Sequence, residues 1–169
     1  MPIVLLLGGP AGAGKSTVAR GWCASRQRAA HLELDAVRAQ IVAGLADPQL
    51  PGDAAEEQYD LSVEAALAQA RVFAAHGYDV AVDDVLTPEG FARSWLPRLD
   101  GLDWRLLVLL PSLAETLDRS RARDKRVMEH HIRAQHAAVS GWPADRVIDT
   151  SGQDAAESVH LLEARLRGG

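Results

Sequence analysis

Eight residues near the start of the chain constrain its fold more than any other feature. Residues 9–16 spell Gly-Pro-Ala-Gly-Ala-Gly-Lys-Ser and satisfy the pattern G-x-x-x-x-G-K-[ST]. An apolar run over residues 3–7 precedes them, and an amphipathic stretch begins at Lys15. In this context glycines let backbone N–H groups approach an anion closely, and the helix N-terminus adds its dipole. The pattern therefore predicts a phosphate-binding loop between a buried strand and a helix.

Each member of this segment, which we call the phosphate loop, has an expected role. Lys15 is expected to reach the β- and γ-phosphates of a nucleotide, and the Ser16 hydroxyl to coordinate Mg²⁺. The other residues predicted to contact the nucleotide here are Gly9, Gly12, Ala13, Gly14 and Thr17. The alternative is a glycine-rich turn that contains Lys-Ser by chance, and the flanking strand and helix patterns argue against it.

Short apolar runs alternate with amphipathic stretches along the rest of the chain, which is typical of a parallel sheet covered by helices. The predicted strands cover residues 3–7, 31–34, 79–82, 104–110 and 146–148. The predicted helices cover residues 15–25, 36–43, 56–76, 88–96, 113–123, 128–139 and 154–167. We therefore expect one α/β domain over residues 1–169, with its functional groups at the carboxyl ends of the strands.

Composition and charge narrow the class of protein. A single cysteine, Cys23, precludes an internal disulfide framework and favours a cytoplasmic location. No apolar run approaches the roughly 18 residues of a membrane span, and the N-terminus lacks the basic region of a signal peptide. The net charge of −5 argues against non-specific binding to nucleic acid, although it does not exclude a local basic patch.

Asp35 follows the second predicted strand and is a candidate general base. Phosphorylation of a hydroxyl needs a carboxylate that accepts the proton as the new P–O bond forms. A strand end beside the phosphate-loop strand would place Asp35 opposite the γ-phosphate. The alternative is a helix N-cap for residues 36 onward, with Arg38 paired to Asp35 three residues away.

Asp83 and Asp84 end the third predicted strand. Successive side chains on a strand point to opposite faces, so at most one of the two faces the phosphates. We assign Asp84 to Mg²⁺, in the role of the aspartate that holds the metal in nucleotide-binding proteins. The alternative is a solvated strand end before the next helix.

A basic cluster lies at residues 118–126, where an acidic protein holds five of its 18 Lys and Arg residues. Arg119 and Arg123 are four residues apart and so share one helix face, and Arg126 follows a short break. Guanidinium groups stabilise the charge of a transferring phosphoryl group and stack on bases. Residues 118–139 are therefore predicted to form a basic lid, and a solvated helix face is the alternative.

With these residues in place, the chain resembles P-loop kinases of the nucleoside-kinase-like group over residues 3–162. The resemblance to chloramphenicol phosphotransferases lies in the Gly8-Gly9 pair, Asp35, Asp83-Asp84-Val85 and the lid pattern Arg119-x-x-Ala122-Arg123-x-x-Arg126-Val127. Polynucleotide 5′-hydroxyl kinases are similar in an Asp-x-x-Arg motif, matched here by Asp35 and Arg38, and in a lid arginine matched by Arg126. The spacing of Arg119 and Arg123 also resembles that of adenylate-kinase lids.

The resemblance implies a three-layer α/β/α fold with a five-stranded parallel sheet in the order 2-3-1-4-5. It implies transfer of the γ-phosphate of Mg·ATP to a small acceptor such as a nucleoside, a nucleotide or an antibiotic. Asp35 would be the base, and Arg38 would favour an acceptor that carries a phosphate. Arg119 would stack on adenine, while Arg123 and Arg126 would contact phosphates. Two alternatives stay open: an ATP-hydrolysing switch without an acceptor, and a polynucleotide 5′-hydroxyl kinase.

Overall fold

The computed structural model describes residues 1–48, 50, 52–122 and 127–168. Its strands are Val4–Gly8 (β1), Ala29–Glu33 (β2), Asp79–Asp83 (β3), Trp104–Leu109 (β4) and Val147–Ile148 (β5). They form one sheet in the order β2-β3-β1-β4-β5, and all four strand pairs are parallel. The predicted P-loop fold and strand order are thus confirmed, and every strand begins within two residues of its predicted start.

Strand β1 lies at the centre of the sheet because it is apolar on both faces. Its first four side chains, from Val4 to Leu7, are fully buried. Val4 and Leu6 pack into one core cluster with Val63 and Leu67, and Leu5 and Leu7 pack into a second cluster on the opposite face. Burying one such side chain contributes about 1.5–3 kcal/mol, so this strand anchors both layers of helices.

Helices cover both faces of the sheet. Lys15–Ala24 (α1) and Ala155–Gly168 (α7) pack on one face, and the long helix Asp53–Ala75 (α3) packs on the other. Leu113–Arg121 (α5) and Glu129–Val139 (α6) follow β4; the end of α5 and all of α6 belong to the predicted lid. Within the described ranges no helix is both long and apolar enough to span a membrane.

Two predicted helices differ in the structure. The helix predicted at residues 36–43 is Leu34–Arg38 (α2), since Leu34 and Val37 are buried while Val42 is 95% exposed and has no core to pack against. Its N-cap is Glu33, so the N-cap alternative for Asp35 is wrong. The helix predicted at residues 88–96 is divided into Pro88–Gly90 (α4), a π-helical turn at Phe91–Trp95 and a 3-10 turn at Leu96–Arg98.

Candidate active site

The phosphate loop connects β1 to α1, and its backbone requires glycine. Gly12 and Gly14 have φ angles of 92° and 89°, in the left-handed region that other residues rarely adopt. A Cβ on Gly12 would also lie 2.4 Å from the carbonyl oxygen of Thr116. The Nζ of Lys15 donates to the carbonyl oxygen of Pro10 at 3.1 Å, so the cation lies over its own loop. All loop residues predicted to contact the nucleotide belong to this strand-to-helix turn and the first turn of α1: Gly9, Gly12, Ala13, Gly14, Lys15, Ser16 and Thr17.

The two strand-end aspartates of β3 have different partners. Asp83 accepts a hydrogen bond from the Ser16 hydroxyl at 3.2 Å, and its other carboxylate oxygen lies 2.5 Å from Nε2 of His31. Asp84 accepts from the Tyr59 hydroxyl at 2.7 Å. The carboxylate in contact with Ser16 is therefore that of Asp83, whereas the sequence analysis assigned Mg²⁺ to Ser16 and Asp84.

Asp84 belongs to a partly buried network. The Tyr59 hydroxyl that donates to Asp84 accepts in turn from Nε1 of the fully buried Trp95 at 3.0 Å. Removal from water raises the pKa of Asp84 to about 6, although the Tyr59 hydrogen bond and the Lys15 charge act in the opposite direction. Burial also raises the pKa of Tyr59, with the charge of Asp84 as the next cause. Tyr59 therefore stays protonated and donates to the carboxylate.

Asp35 and Arg38 lie on α2, beyond the end of β2. Asp35 is exposed in the first turn, and its negative charge is close enough to Asp84 to contribute to raising the pKa of that carboxyl. Arg38 donates weakly to the carbonyl oxygen of Ala46, at 3.4 Å, while its buried Nε has no hydrogen-bond partner among the described residues. The two side chains are three residues apart, so they share one side of the helix.

Arg119 joins α5 to the segment that follows β5. Its guanidinium donates to the carbonyl oxygens of Thr150 and Gln153, at 3.3 and 3.0 Å, and forms an ion pair with Glu115. A pocket of about 320 Å³, which we call the Arg119 pocket, is lined by Arg119, Gln153, residues 12–14 of the phosphate loop and Thr17 of α1. A guanidinium held over a phosphate loop in this way suits the base side of a nucleotide. Arg123 and Arg126, the other predicted lid arginines, lie outside the described residues.

Comparison with models of protein families identifies the family to which the chain belongs. The model described as an AAA domain matches residues 4–141, which is most of the sequence. The chain belongs to the AAA-domain family. A sequence comparison with curated proteins yields no match.

Solved structures show that this AAA-domain protein has a kinase-like P-loop fold. A tunicamycin resistance protein from Deinococcus radiodurans superposes with a TM-score of 0.71 at 19% identity, covering 98% of this chain and 96% of that one. A sugar kinase from a Janibacter species gives 0.71 at 16% identity, covering 99% and 95%. An APS kinase from Mycobacterium tuberculosis, solved in complex with AMPPNP and APS, gives 0.69 at 19% identity, covering 98% of both chains. At these identities the likeness establishes the fold.

A second pocket of the AAA-domain protein lies on the other face of the sheet. This Tyr59 pocket, of about 270 Å³, is lined by Arg38 of α2, Glu56 and Tyr59 of α3, and Thr87 and Arg93 beyond β3. Arg93 lies 3.4 Å from Glu56 in an exposed ion pair. Because Tyr59 also contacts Asp84, the pocket lies beside the carboxyl end of β3.

The oxygen atoms around Ser16 suit a magnesium ion. A hydroxyl and a carboxylate are the hard oxygen ligands that Mg²⁺ prefers, and the ion usually takes one or two protein oxygens together with phosphates and waters. Among the described residues no group of three or more His, Cys, Asp or Glu side chains is arranged to hold a metal ion. Ser16 and Asp83 therefore fit an ion that is bound together with a nucleotide, as the sequence analysis expects for ATP and Mg²⁺.

Sequence analysis did not find three contacts of the site. Gln135 of α6, a helix of the predicted lid, accepts a hydrogen bond from the backbone N–H of Ala11 at 2.9 Å and so connects α6 to the phosphate loop. His31 contacts Asp83, and Tyr59 contacts Asp84. The partners are between 25 and 124 residues apart in sequence, and no local pattern marks them.

Proposed function

We propose that this AAA-domain protein is an ATP-dependent phosphotransferase that moves the γ-phosphate of Mg·ATP to a hydroxyl or phosphate of a small acceptor. The observation that carries the proposal is the pair of pockets beside the carboxyl edge of the sheet. The Arg119 pocket includes the phosphate loop and suits a nucleotide, and the Tyr59 pocket offers a separate place for an acceptor. A hydrolytic switch needs only the first.

The residues of the phosphate loop would hold the nucleotide. Backbone N–H groups of the loop and the Lys15 ammonium balance the charge of the β- and γ-phosphates. Ser16 and Asp83 would hold Mg²⁺, and we prefer Asp83 to Asp84 because Asp83 contacts the Ser16 hydroxyl. The ion would neutralise charge on the phosphate oxygens. Arg123 and Arg126 of the basic lid (residues 118–139) remain predicted to contact the transferring group.

The acceptor would bind in the Tyr59 pocket with its nucleophilic oxygen toward the phosphate loop. Asp35 is the proposed base, since its exposed carboxylate lies near Asp84 and at the start of the helix that carries Arg38. Arg38, whose Nε has no hydrogen-bond partner in the described part of the chain, supports an acceptor that carries an anionic group, such as a phosphate. A nucleotide offers both a hydroxyl or phosphate and an anionic group for Arg38, whereas a nucleoside or an antibiotic offers the hydroxyl alone.

The test is an acceptor screen with γ-labelled ATP that scores phosphorylated product against free phosphate. The substitution Asp35→Asn preserves shape but does not accept a proton at neutral pH. Transfer to the true acceptor is expected to fall by roughly 100- to 10,000-fold, while Mg·ATP affinity and slow hydrolysis change little. Asp100→Asn is the matched control, because Asp100 is exposed and lies before the amino-terminal end of β4, whereas the candidate site lies at the carboxyl ends of the strands. Release of free phosphate alone with every acceptor class would instead indicate an ATP-hydrolysing switch.

A further inference from the structure

His31 contacts Asp83, one of the two proposed magnesium ligands, but has no part in the mechanism above. It lies on β2, and its side chain is 12% exposed. Nε2 is 2.5 Å from Oδ2 of Asp83, whose side chain is 4% exposed. The other carboxylate oxygen of Asp83 accepts from the Ser16 hydroxyl. The carboxylate is therefore held at both oxygens, once from β2 and once from α1.

The register of the sheet explains how His31 reaches Asp83. His31 pairs with Ala81 and Glu33 pairs with Asp83, so the histidine lies two residues before the level of Asp83. Residues two apart on a strand share a face, and paired residues of neighbouring strands do so as well. Ala81 belongs to the core cluster on the α1 side, which places His31 and Asp83 on that same side. A ring of this length can span the diagonal between the two strands.

A carboxylate that accepts a hydrogen bond on one oxygen has its plane fixed and presents the other oxygen in one direction. Here the fixed oxygen is Oδ2, and the presented oxygen, Oδ1, points at the Ser16 hydroxyl. Such outer contacts orient the groups that bind a metal, and their loss typically weakens metal affinity or activity about 10- to 100-fold.

We propose that His31 is a positioning residue that orients Asp83 toward Ser16 and a nucleotide-bound Mg²⁺. The inference rests on the proposed function, because it takes Ser16 and Asp83 as the groups that hold the ion. It also gives β2 a double role: the strand holds the metal carboxylate through His31 and leads directly into the helix that carries Asp35. The position of the metal ligand Asp83 and that of the base Asp35 therefore both depend on β2.

The experiment compares His31→Met with His31→Gln, two side chains of similar length of which only glutamine retains an N–H donor. Mn²⁺ affinity is measured by electron paramagnetic resonance in the presence of a non-hydrolysable ATP analogue, and analogue affinity is measured in EDTA. We expect His31→Met to weaken Mn²⁺ binding about 10- to 100-fold and His31→Gln to restore most of it. Analogue affinity without metal should stay unchanged in both. Glu33→Gln, also on β2, is the control: it removes the charge of an ion pair with Arg20 of α1 and should leave Mn²⁺ binding as in the wild type.

The outcomes separate this inference from the proposed function. Wild-type Mn²⁺ affinity in a folded His31→Met protein would overturn the positioning role alone. A wild type that binds no Mn²⁺ with the analogue would overturn the proposed function and this inference together. If the variants do not fold, the positioning role is tested on the wild type by nuclear magnetic resonance of the His31 ring. Mg²⁺ added to the analogue complex should shift the ring resonances of His31, and unchanged resonances would overturn the proposal.

Discussion

Asp84→Asn is expected to stabilise the protein at neutral pH but hardly at pH 4. The carboxyl has a folded pKa of about 6 against an ordinary value of 3.8, because burial disfavours its charged form. Between these two values the folded state binds more protons than the unfolded state, so the free energy of unfolding falls as the pH rises through this window. Above about pH 6 the folded protein carries the full free-energy cost of burying the ionised Asp84 carboxylate. At 1.36 kcal/mol per pKa unit the shift corresponds to about 3 kcal/mol at most.

Asparagine keeps the shape of Asp84 and an oxygen that accepts from Tyr59, so only the cost of the buried charge is removed. We expect the free energy of unfolding to rise by about 1–3 kcal/mol at pH 7.5 and by less than about 1 kcal/mol at pH 4. Urea unfolding followed by circular dichroism, in EDTA and without nucleotide, measures both values. Asp100→Asn controls for the loss of one negative charge at an exposed position. An equal gain at the two pH values, or a gain at pH 7.5 no larger than that of the control, would refute the reasoning.

Two further predictions concern the network and the loop. Tyr59→Phe should lower the free energy of unfolding by about 1–3 kcal/mol, because the buried N–H of Trp95 loses its acceptor and Asp84 loses its donor; unchanged urea unfolding at pH 7.5 would contradict this. Gly14→Ala should lower the free energy of unfolding by about 1–2 kcal/mol for its left-handed backbone alone, since no atom of the described residues lies within 4 Å of the new methyl group. Gly12→Ala should lower the free energy of unfolding clearly more than Gly14→Ala, because its methyl group would overlap the carbonyl oxygen of Thr116. Equal thermal unfolding temperatures of the two variants would contradict this.

The sheet could be predicted from sequence because its signals are local. Strands β1, β3 and β4 contain short apolar runs, and the glycines of the phosphate loop fix where β1 ends and α1 begins. The helix after β2 was predicted less well, since its length depends on burial against α3 and not on its own periodicity. Leu34 and Val37 reach that core, whereas Ile41 and Val42 do not. The helix therefore ends at Arg38, five residues before the predicted end.

For the candidate site, the sequence predicts which residues lie at the end of each strand but not which of them contact one another. The alternation of a strand shows that Asp83 and Asp84 point to opposite faces, but it does not show which face carries α1. That choice depends on the register of β3 against β1 and on the packing of α1, both of which are long-range. His31, Tyr59 and Gln135 are recognisable only once the strands and helices are assembled. Their contacts with Asp83, Asp84 and Ala11 lie outside any sequence motif.

The adjacent aspartates at the end of β3 face two different parts of the candidate site. Ala81 and Asp83 lie on the face of the sheet that α1 covers, where Asp83 contacts the Ser16 hydroxyl of the phosphate loop. Val82 belongs to the core cluster on the opposite face, and Asp84, two residues on, contacts Tyr59 of the second pocket. A period of two residues therefore places one carboxylate beside the proposed nucleotide and the next beside the proposed acceptor. Under the proposed function, a phosphoryl group that passes between the two ligands would cross the end of this strand, where a carboxylate lies on each side and one of the two is costly to bury.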